Sequence, residues 1–529
     1  MLKRRSLRSL STLLARNTAS NGVFFLLQQV VSLCGYIVLI RLLPLEEYGL
    51  LMLVGVILGQ FAIFDAGLST GLEKFLPEYR AAGDFQRIAR GIGVTIIFFL
   101  IVGTLCATFL FIVAATNAGW VIGVDDGIQT RNVFVTAGVI ALIHWPLQSL
   151  KSACRGFNLH HSLNKIQFLV QATSVCATVL AVVAQIPLYW VVIFLYLPSL
   201  GGAIAEWHLL GEHAGGERVK FDSQSLTVFQ EMFGYSVWVF LIKISSELTN
   251  RFDRMLVSAL LGVSALPIYY GVMRVMKFPV QINSVLKRAV LPVASEVNKT
   301  HNAASFSELG YRGLRIFNAV YAQATFFVII FAYPITSALG GSRLAEYAWA
   351  VQLGGVLLLP VAGRAFYNEM LIGSGEFIRQ QALWSVVMAV VYMVILMVGI
   401  RYVEIAGALV AHPIAHLIMM VWWLHLIARR TNLGIGGLIK GMSSGQWPTW
   451  FGVIAFWLVY RGLLNEFPNR LLLYSVLIYA AVAFVTWKFS VEPTVRARIS
   501  QQIHEMFHTA KQTLGSTAVD CPTVRREYR

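Results

Sequence analysis

The chain has 529 residues, of which 57% are hydrophobic and 13% charged, with a formal net charge of +16. That balance excludes a set of soluble domains and points to a polytopic membrane protein. Cys34, Cys106, Cys154, Cys176 and Cys521 show neither metal-ligand spacing nor a disulfide framework, so no metal site is expected.

In chain order, residues 1–21 carry Lys3, Arg4, Arg5, Arg8 and Arg16 between leucines and read as a basic amphipathic segment on the cytoplasmic membrane surface. A signal peptide is the competing reading, but the apolar run that follows is too long for one and lacks a small-residue cleavage site. About 20 apolar residues cross a hydrocarbon core, which predicts spans at 22–43, 49–67, 91–114, 132–150, 167–185 and 189–210. These form an N-lobe over 22–210, followed by a polar cytoplasmic linker at 211–230. A hydrophobic hairpin from Phe233 to Arg288 supplies the seventh and eighth spans. Four more at 316–338, 346–367, 381–400 and 404–427 complete a C-lobe over 231–430. Two last spans, near 448–464 and 471–489, fill 431–489, and 490–529 form a basic cytoplasmic tail. The fold class expected is therefore an all-α membrane protein of about 14 transmembrane helices, two six-helix lobes around a central cavity plus two extra C-terminal helices.

The basic residues test this topology. Most of the 42 Lys and Arg fall on the side of the N-terminus and tail, leaving Arg131, Arg343, Arg401, Arg461 and Arg470 for the other side. Lys and Arg accumulate on cytoplasmic loops, so both termini are expected in the cytoplasm. The positive balance is then membrane topology, and no nucleic-acid partner is expected.

Charge inside the hairpin is what needs explaining. Lys243, Glu247, Asn250, Arg251 and Arg254 share one helical face on its first arm, and Tyr270, Arg274, Lys277, Gln281 and Arg288 share one on its second. Ionisable residues at membrane depth face a bundle interior or a wet cavity. Cations outnumber the acids Glu247 and Asp253, which suits an anion such as a diphosphate, with Arg as the fork and Lys as the point charge. The alternative is a closed network in which Glu247 pairs Lys243 and Arg251 at i±4.

Other polar residues stand inside apolar runs. Asn21, Gln28, Ser32 and Tyr36 share a face of the first span and suit either sugar hydroxyls or inter-helix hydrogen bonds. His144, Gln148 and Lys151 align at i, i+4 and i+7 in the fourth, a second cavity candidate. Arg41 reads as a snorkelling side chain, and Asp65, near the cytoplasmic end of the second span and next to Gly67 and Gly71, as a packing or capping group. His412 and His416 flank Pro413 one turn apart; with no third ligand they suit a buried hydrogen bond or a titrating pair rather than a metal.

The two halves repeat a pattern. Arg41-Leu42-Leu43-Pro44-Leu45-Glu46-Glu47-Tyr48-Gly49 forms one turn, followed by Phe75-Leu76-Pro77-Glu78. Ala259-Leu260-Leu261-Gly262 and Val290-Leu291-Pro292-Val293 take the matching places in the second half. A repeat of this kind is a transporter signature, with the substrate site between the halves. The first run, with Asp65-Ala66-Gly67-Leu68-Ser69-Thr70-Gly71 and Lys74-Phe75-Leu76-Pro77-Glu78, resembles the N-terminal signature of the polysaccharide transporters of the multidrug/oligosaccharidyl-lipid/polysaccharide superfamily. Asp253-Arg254-Met255-Leu256-Val257 and Ile268-Tyr269-Tyr270 resemble that family's later spans, with Pro267 where many relatives have Gly.

The resemblance implies alternating access in a cell inner membrane and movement of an undecaprenyl-diphosphate-linked glycan to the periplasmic leaflet. Proton or sodium coupling is possible and no other cofactor is expected; polysaccharide assembly proteins are possible partners. Two other classes compete. A cation-coupled exporter of amphipathic drugs or metabolites would need acidic cavity residues, which are outnumbered here. A membrane glycosyltransferase, ligase or polymerase would need a larger outer loop and paired carboxylates, so the chain is not expected to be an enzyme.

Overall fold

The computed structural model describes residues 7–65, 67–116, 127–211, 219–234, 244–245, 247–282, 303–361, 363–364, 378–431, 434–443, 445–463, 468–490 and 493. Among these, all regular structure is helical. The first helix, α1, runs unbroken over Leu7–Leu42, and its apolar, span-length part is Val23–Leu42. Pro44 ends it, and α2 follows over Leu45–Gln60 with a 3-10 turn at Phe61–Asp65. A short helix that the span rule did not separate, α3 (Leu68–Ala82), comes next. The remaining N-lobe helices are α4 (Phe85–Thr116), α5 (Ile128–Gly156), α6 (His160–Val183) and α7 (Leu188–Gly211).

The linker carries α8, Ser225–Gly234, which docks on the N-lobe. Its Met232 carbonyl lies where a Cβ on Gly71 would approach to 2.9 Å, Asp222 pairs with Arg90 at 2.9 Å, and the Tyr79 hydroxyl donates to Glu231 at 2.9 Å.

The C-lobe departs from regular spans at its prolines and its polar stripe. A π-helical turn at Leu248–Phe252 precedes α9 (Asp253–Leu261), and Gly262, with φ +86°, turns the chain into α10 (Ala265–Met276). The wider turn shifts the face that 3.6-residue arithmetic assigns, carrying Asp253 into the lobe, where it is 1% exposed. Pro279 cannot donate to the carbonyl four residues back, and α10 stops at Met276, with helix resuming at 278–282. Pro267 sits in the first turn of α10, where no helical donor is needed.

The expected ninth span is bent by 66° between α11 (Ala303–Ile330) and α12 (Ala332–Gly340), because Pro334 leaves the Ile330 carbonyl without a partner. Next comes α13, Ala348–Leu358. The long helical run α14, Ile378–Thr431, is two helices: Glu404 has φ 52° and ψ −132°, and a Cβ on Gly407 would meet the Gly399 carbonyl at 2.1 Å. Those residues would lie about 12 Å apart in an unbroken helix, so the chain reverses at Glu404, where a loop between 400 and 404 is expected. Then come α15 (Gly434–Ser443), α16 (Trp447–Leu463) and α17 (Pro468–Ser490).

Eight described helices are long and apolar enough to cross a membrane, nine if the bent pair is one span. The expected 14 is not reached by length and composition, since both hairpin arms, α13 and α16 fall short and the two helices of α14 count as one.

Three apolar cores hold the bundle. The largest joins both lobes, with Tyr36, Ile40 and Leu53 of the N-lobe packed among Leu266, Tyr269, Val272 and Leu344 of the C-lobe. The second, around Leu72, Leu76, Ile88 and Met232, contains only residues of the N-lobe and of α8. Among the described residues the lobes therefore meet at the end holding the Pro44 and Gly262 turns and not at the linker end. Large apolar side chains such as Leu180, Val390 and Leu458 cover the outer surface, as a lipid-facing bundle requires.

The third core sets α16 and α17 against α11 through Phe326, Ile329, Val453, Phe456 and Val482, and Gln323 of α11 donates to Thr486 at 2.6 Å. Among the described residues, none of the three helices lines either of the two cavities at the lobe interface. Alanine at the exposed Trp457 or Leu458 is expected to leave transport at the wild-type level when expression is matched; a transport defect in folded protein would place α16 in the pathway.

Candidate functional site

Two adjoining chambers lie between the lobes, one of 260 Å³ and one of 540 Å³. They share Ser32 of α1 and Arg254, Tyr270 and Arg274 of the hairpin. The smaller adds Gln28, Gln29, Gln171, Asp253, Lys277 and Gln281; the larger adds Tyr36, Tyr48 and Arg251. The hairpin stripe thus faces a cleft whose opposite wall is α1, α2 and α6.

Each cation is held differently. Arg251 pairs with Glu247 at 2.9 Å one turn away and donates to the Gly59 carbonyl at 2.7 Å. That approach needs glycine at 59, since a Cβ there would lie 2.7 Å from the guanidinium. Arg274 forks onto α1, one nitrogen donating to the Ser32 hydroxyl at 3.2 Å and the other to the Gln29 carbonyl at 3.1 Å. Arg254 stacks over the Tyr270 ring at 4.7 Å, worth about 0.5–2 kcal/mol in such pairs.

Among the described residues the Arg254 guanidinium and the Lys277 ammonium make no hydrogen bond and no ion pair within 4 Å. Asp253, the acid nearest Lys277, already accepts from Tyr269 at 2.7 Å and Tyr392 at 3.1 Å. The expected pairing of Glu247 with Arg251 is present, but it does not close the stripe into a network.

Of the sequence candidates, Arg251, Arg254, Arg274, Lys277, Gln281 and Gln28 meet at the chambers. Glu247 lines neither and acts through Arg251. Lys243 lies outside the described residues, as do Arg288 and the 290–293 half of the repeat. The structure does not bring His144 and Gln148 there. They bond each other at 2.9 Å, and His144 turns its ring edge to Tyr196 of α7 at 5.4 Å, because α5 packs between α4 and α7, inside the lobe.

Sequence reasoning missed Gln29 and Gln171. Gln29 neighbours Gln28 but lies off the face chosen for α1, whereas Gln171, one turn after Gln167 in an otherwise apolar run, carried a signal that was legible. The aromatic wall was also missed as a unit: Tyr36 lies between Tyr48 at 5.9 Å and Tyr270 at 5.8 Å, its ring tilted to both. Tyrosine rings of this kind suit the apolar faces and hydroxyls of sugars.

In overall structure the chain is similar to "Lipid II flippase MurJ, inward closed conformation", with a TM-score of 0.65 at 12% identity, covering 88% of this chain and 97% of that one. It is similar to an inward-facing multidrug resistance MATE family transporter of the MOP superfamily, with a TM-score of 0.61 at 13% identity over 77% of this chain and 94% of that one. An outward-facing MATE transporter gives 0.56 at 12% identity, over 79% and 95%. No curated protein matches the sequence. The sequence profile described as "Polysaccharide biosynthesis protein" matches residues 14–298, which take in the N-lobe, the linker and the charged hairpin. The fold is thus that of the superfamily's transporters, and the chain belongs to the polysaccharide biosynthesis protein family.

Proposed function

We propose that the protein is a flippase that moves an undecaprenyl-diphosphate-linked oligosaccharide from the cytoplasmic to the periplasmic leaflet by alternating access. The observation that carries this reading is the convergence of Arg254, Arg274 and Lys277 on one cleft between the lobes, with its carboxylate, Asp253, already engaged by two tyrosines. A diphosphate supplies the negative charge these groups lack, and glutamines and tyrosines beside them offer partners for sugar hydroxyls. The turn end, where the lobes meet, faces the periplasm in this reading, and the linker end faces the cytoplasm with both termini. The protein works as a transporter coupled to a proton or sodium gradient rather than as an enzyme, in the cell inner membrane, with assembly proteins as possible partners of its basic tail.

Reconstitution into liposomes tests the proposal. Undecaprenyl-diphosphate-linked oligosaccharide is expected to become accessible to an external glycosidase only in vesicles with protein, and pyrophosphate is expected to compete. Export of a cationic dye without any movement of the glycolipid would overturn it in favour of a drug exporter.

A further inference from the structure

Deeper in the C-lobe, beside the smaller chamber, lies a buried polar chain. His412 and His416 stand one turn apart on the second part of α14, their Nε2 atoms 3.2 Å apart and their rings 4.3 Å apart. Arg364 places a guanidinium nitrogen 3.0 Å from His416 Nδ1 and lies over the Trp384 ring at 4.4 Å. On the other side, His412 sets its ring against Tyr392 at 5.6 Å, and Tyr392 donates to Asp253, which lines the chamber.

Hydrogen-bond chemistry fixes where the protons sit. A guanidinium only donates, so His416 Nδ1 is a bare acceptor and the proton of the neutral ring is on Nε2. That proton points at His412 Nε2, which must accept, leaving the proton of His412 on Nδ1. His412 is 5% exposed, and its Nδ1 is buried with no partner among the described residues. The chain therefore has one neutral arrangement, ending on an unused donor. A further proton can enter only at His412 Nε2 or His416 Nδ1, and at either place it sets two donors face to face. His416 must then turn away from His412 or release Arg364.

The charged groups around the pair are Arg364 from the segment after α13 and Lys277 at the end of α10. Asp253 of α9 reaches it through Tyr392, with Arg254 and Tyr269 beside that carboxylate. Two cations face the imidazoles directly and oppose a third positive charge; an anion seated beside Lys277 offsets that opposition.

We propose that His412 and His416 form a proton-binding site coupled to anion binding in the chamber. Seating an anion beside Lys277 draws one proton from solvent onto the pair and frees Arg364 from His416. The proton enters at His416 Nδ1 and displaces Arg364, and the His416 Nε2 proton passes to His412 Nε2, so two N–H bonds form, one breaks, and His412 is left as the imidazolium. By linkage the proton tightens anion binding by the same factor that the anion favours the proton. This inference rests on the reading of the chamber as an anion site.

Calorimetry on the full chain in lipid nanodiscs, with pyrophosphate as probe, tests it. Binding measured near pH 6.5 in buffers of different ionisation enthalpy counts the protons taken up per probe bound. Comparison with His412→Gln and His416→Gln cancels the titration of pyrophosphate itself. Wild type is expected to take up more protons than either variant, and its affinity to fall about fivefold or more between acid and neutral pH, the lower end of measured couplings, while the variants are flatter. Equal uptake in all three proteins, with binding intact, would overturn the coupling and leave the anion site standing. If wild type binds no pyrophosphate at any pH, the anion reading itself fails and the coupling goes with it. Nitrogen-15 spectra of histidine-labelled wild type need no variant at the pair: His412 is expected as the neutral Nδ1–H form without probe and as imidazolium with it, and an unchanged neutral ring would also overturn the proposal.

Discussion

Replacing Lys277 by glutamine is expected to reduce glycolipid transport by about ten- to a hundredfold, the worth of one hydrogen bond to a charged group at about 1.5–3 kcal/mol. Insertion and thermal stability should hold, because Lys277 makes no hydrogen bond or ion pair among the described residues whose loss would orphan another group. Arg251→Gln behaves differently. It strips Glu247 and the Gly59 carbonyl of a partner, but the Arg251 side chain is 40% exposed, so the stability cost should be about 1 kcal/mol rather than that of a dry pair. Parallel transport assays and thermal unfolding distinguish the two. If Lys277→Gln instead lowers protein levels as sharply as it lowers transport, the stripe is a structural network and the binding role is lost. Arg274→Lys is expected to retain part of the activity that Arg274→Gln loses, since an ammonium keeps the charge and loses the fork.

Gly49→Val is expected to abolish transport at a site with no polar chemistry at all. A Cβ on Gly49 would stand 2.1 Å from the Val263 carbonyl in the opposite lobe. Backbone at the Gly262 turn cannot yield as a flexible side chain would, so the lobes must separate where their shared core is tightest. Overpacking of this kind costs about 1–3 kcal/mol or more, and here the cost falls only on states in which the turn end is closed. The control is Gly201→Val on α7, where a Cβ would meet nothing within 4 Å; it should transport nearly normally. Wild-type transport by Gly49→Val would show that closure at this end is not part of the cycle.

Much of this was legible in the sequence because membrane burial makes charge conspicuous. Arg251, Arg274 and Lys277 stood out from apolar neighbours, and their common face led to one cleft. What periodicity could not give is the identity of the facing wall: Gln29, Gln171 and the Gly59 carbonyl come from three other helices, and a backbone oxygen leaves no mark in a sequence. His144 and Gln148 misled for the same reason, since a polar face shows burial without saying against what. The breaks in the C-lobe were half legible. Pro334 and Pro279 announce them, but the span rule reads only apolar length, and the π turn before Asp253 has no proline to mark it. Asp253 was accordingly counted only as an acid set against the cations, when two tyrosines already hold it.

The bonds of Arg251 and Arg274 cross the lobe boundary. Their guanidiniums belong to the C-lobe, while the oxygens they hold, on Gly59, Gln29 and Ser32, belong to the N-lobe. Rocking that parts the lobes at this depth must break those bonds, and amide carbonyls are weaker partners for a guanidinium than phosphate oxygens are. A phosphate entering the cleft can take over both forks and loosen the ties, whereas an unloaded carrier must break them with nothing in exchange. On the proposed reading, the same arginines that would grip the cargo therefore also act as a brake on idle turnover, tying the lobes together until an anion takes over their forks.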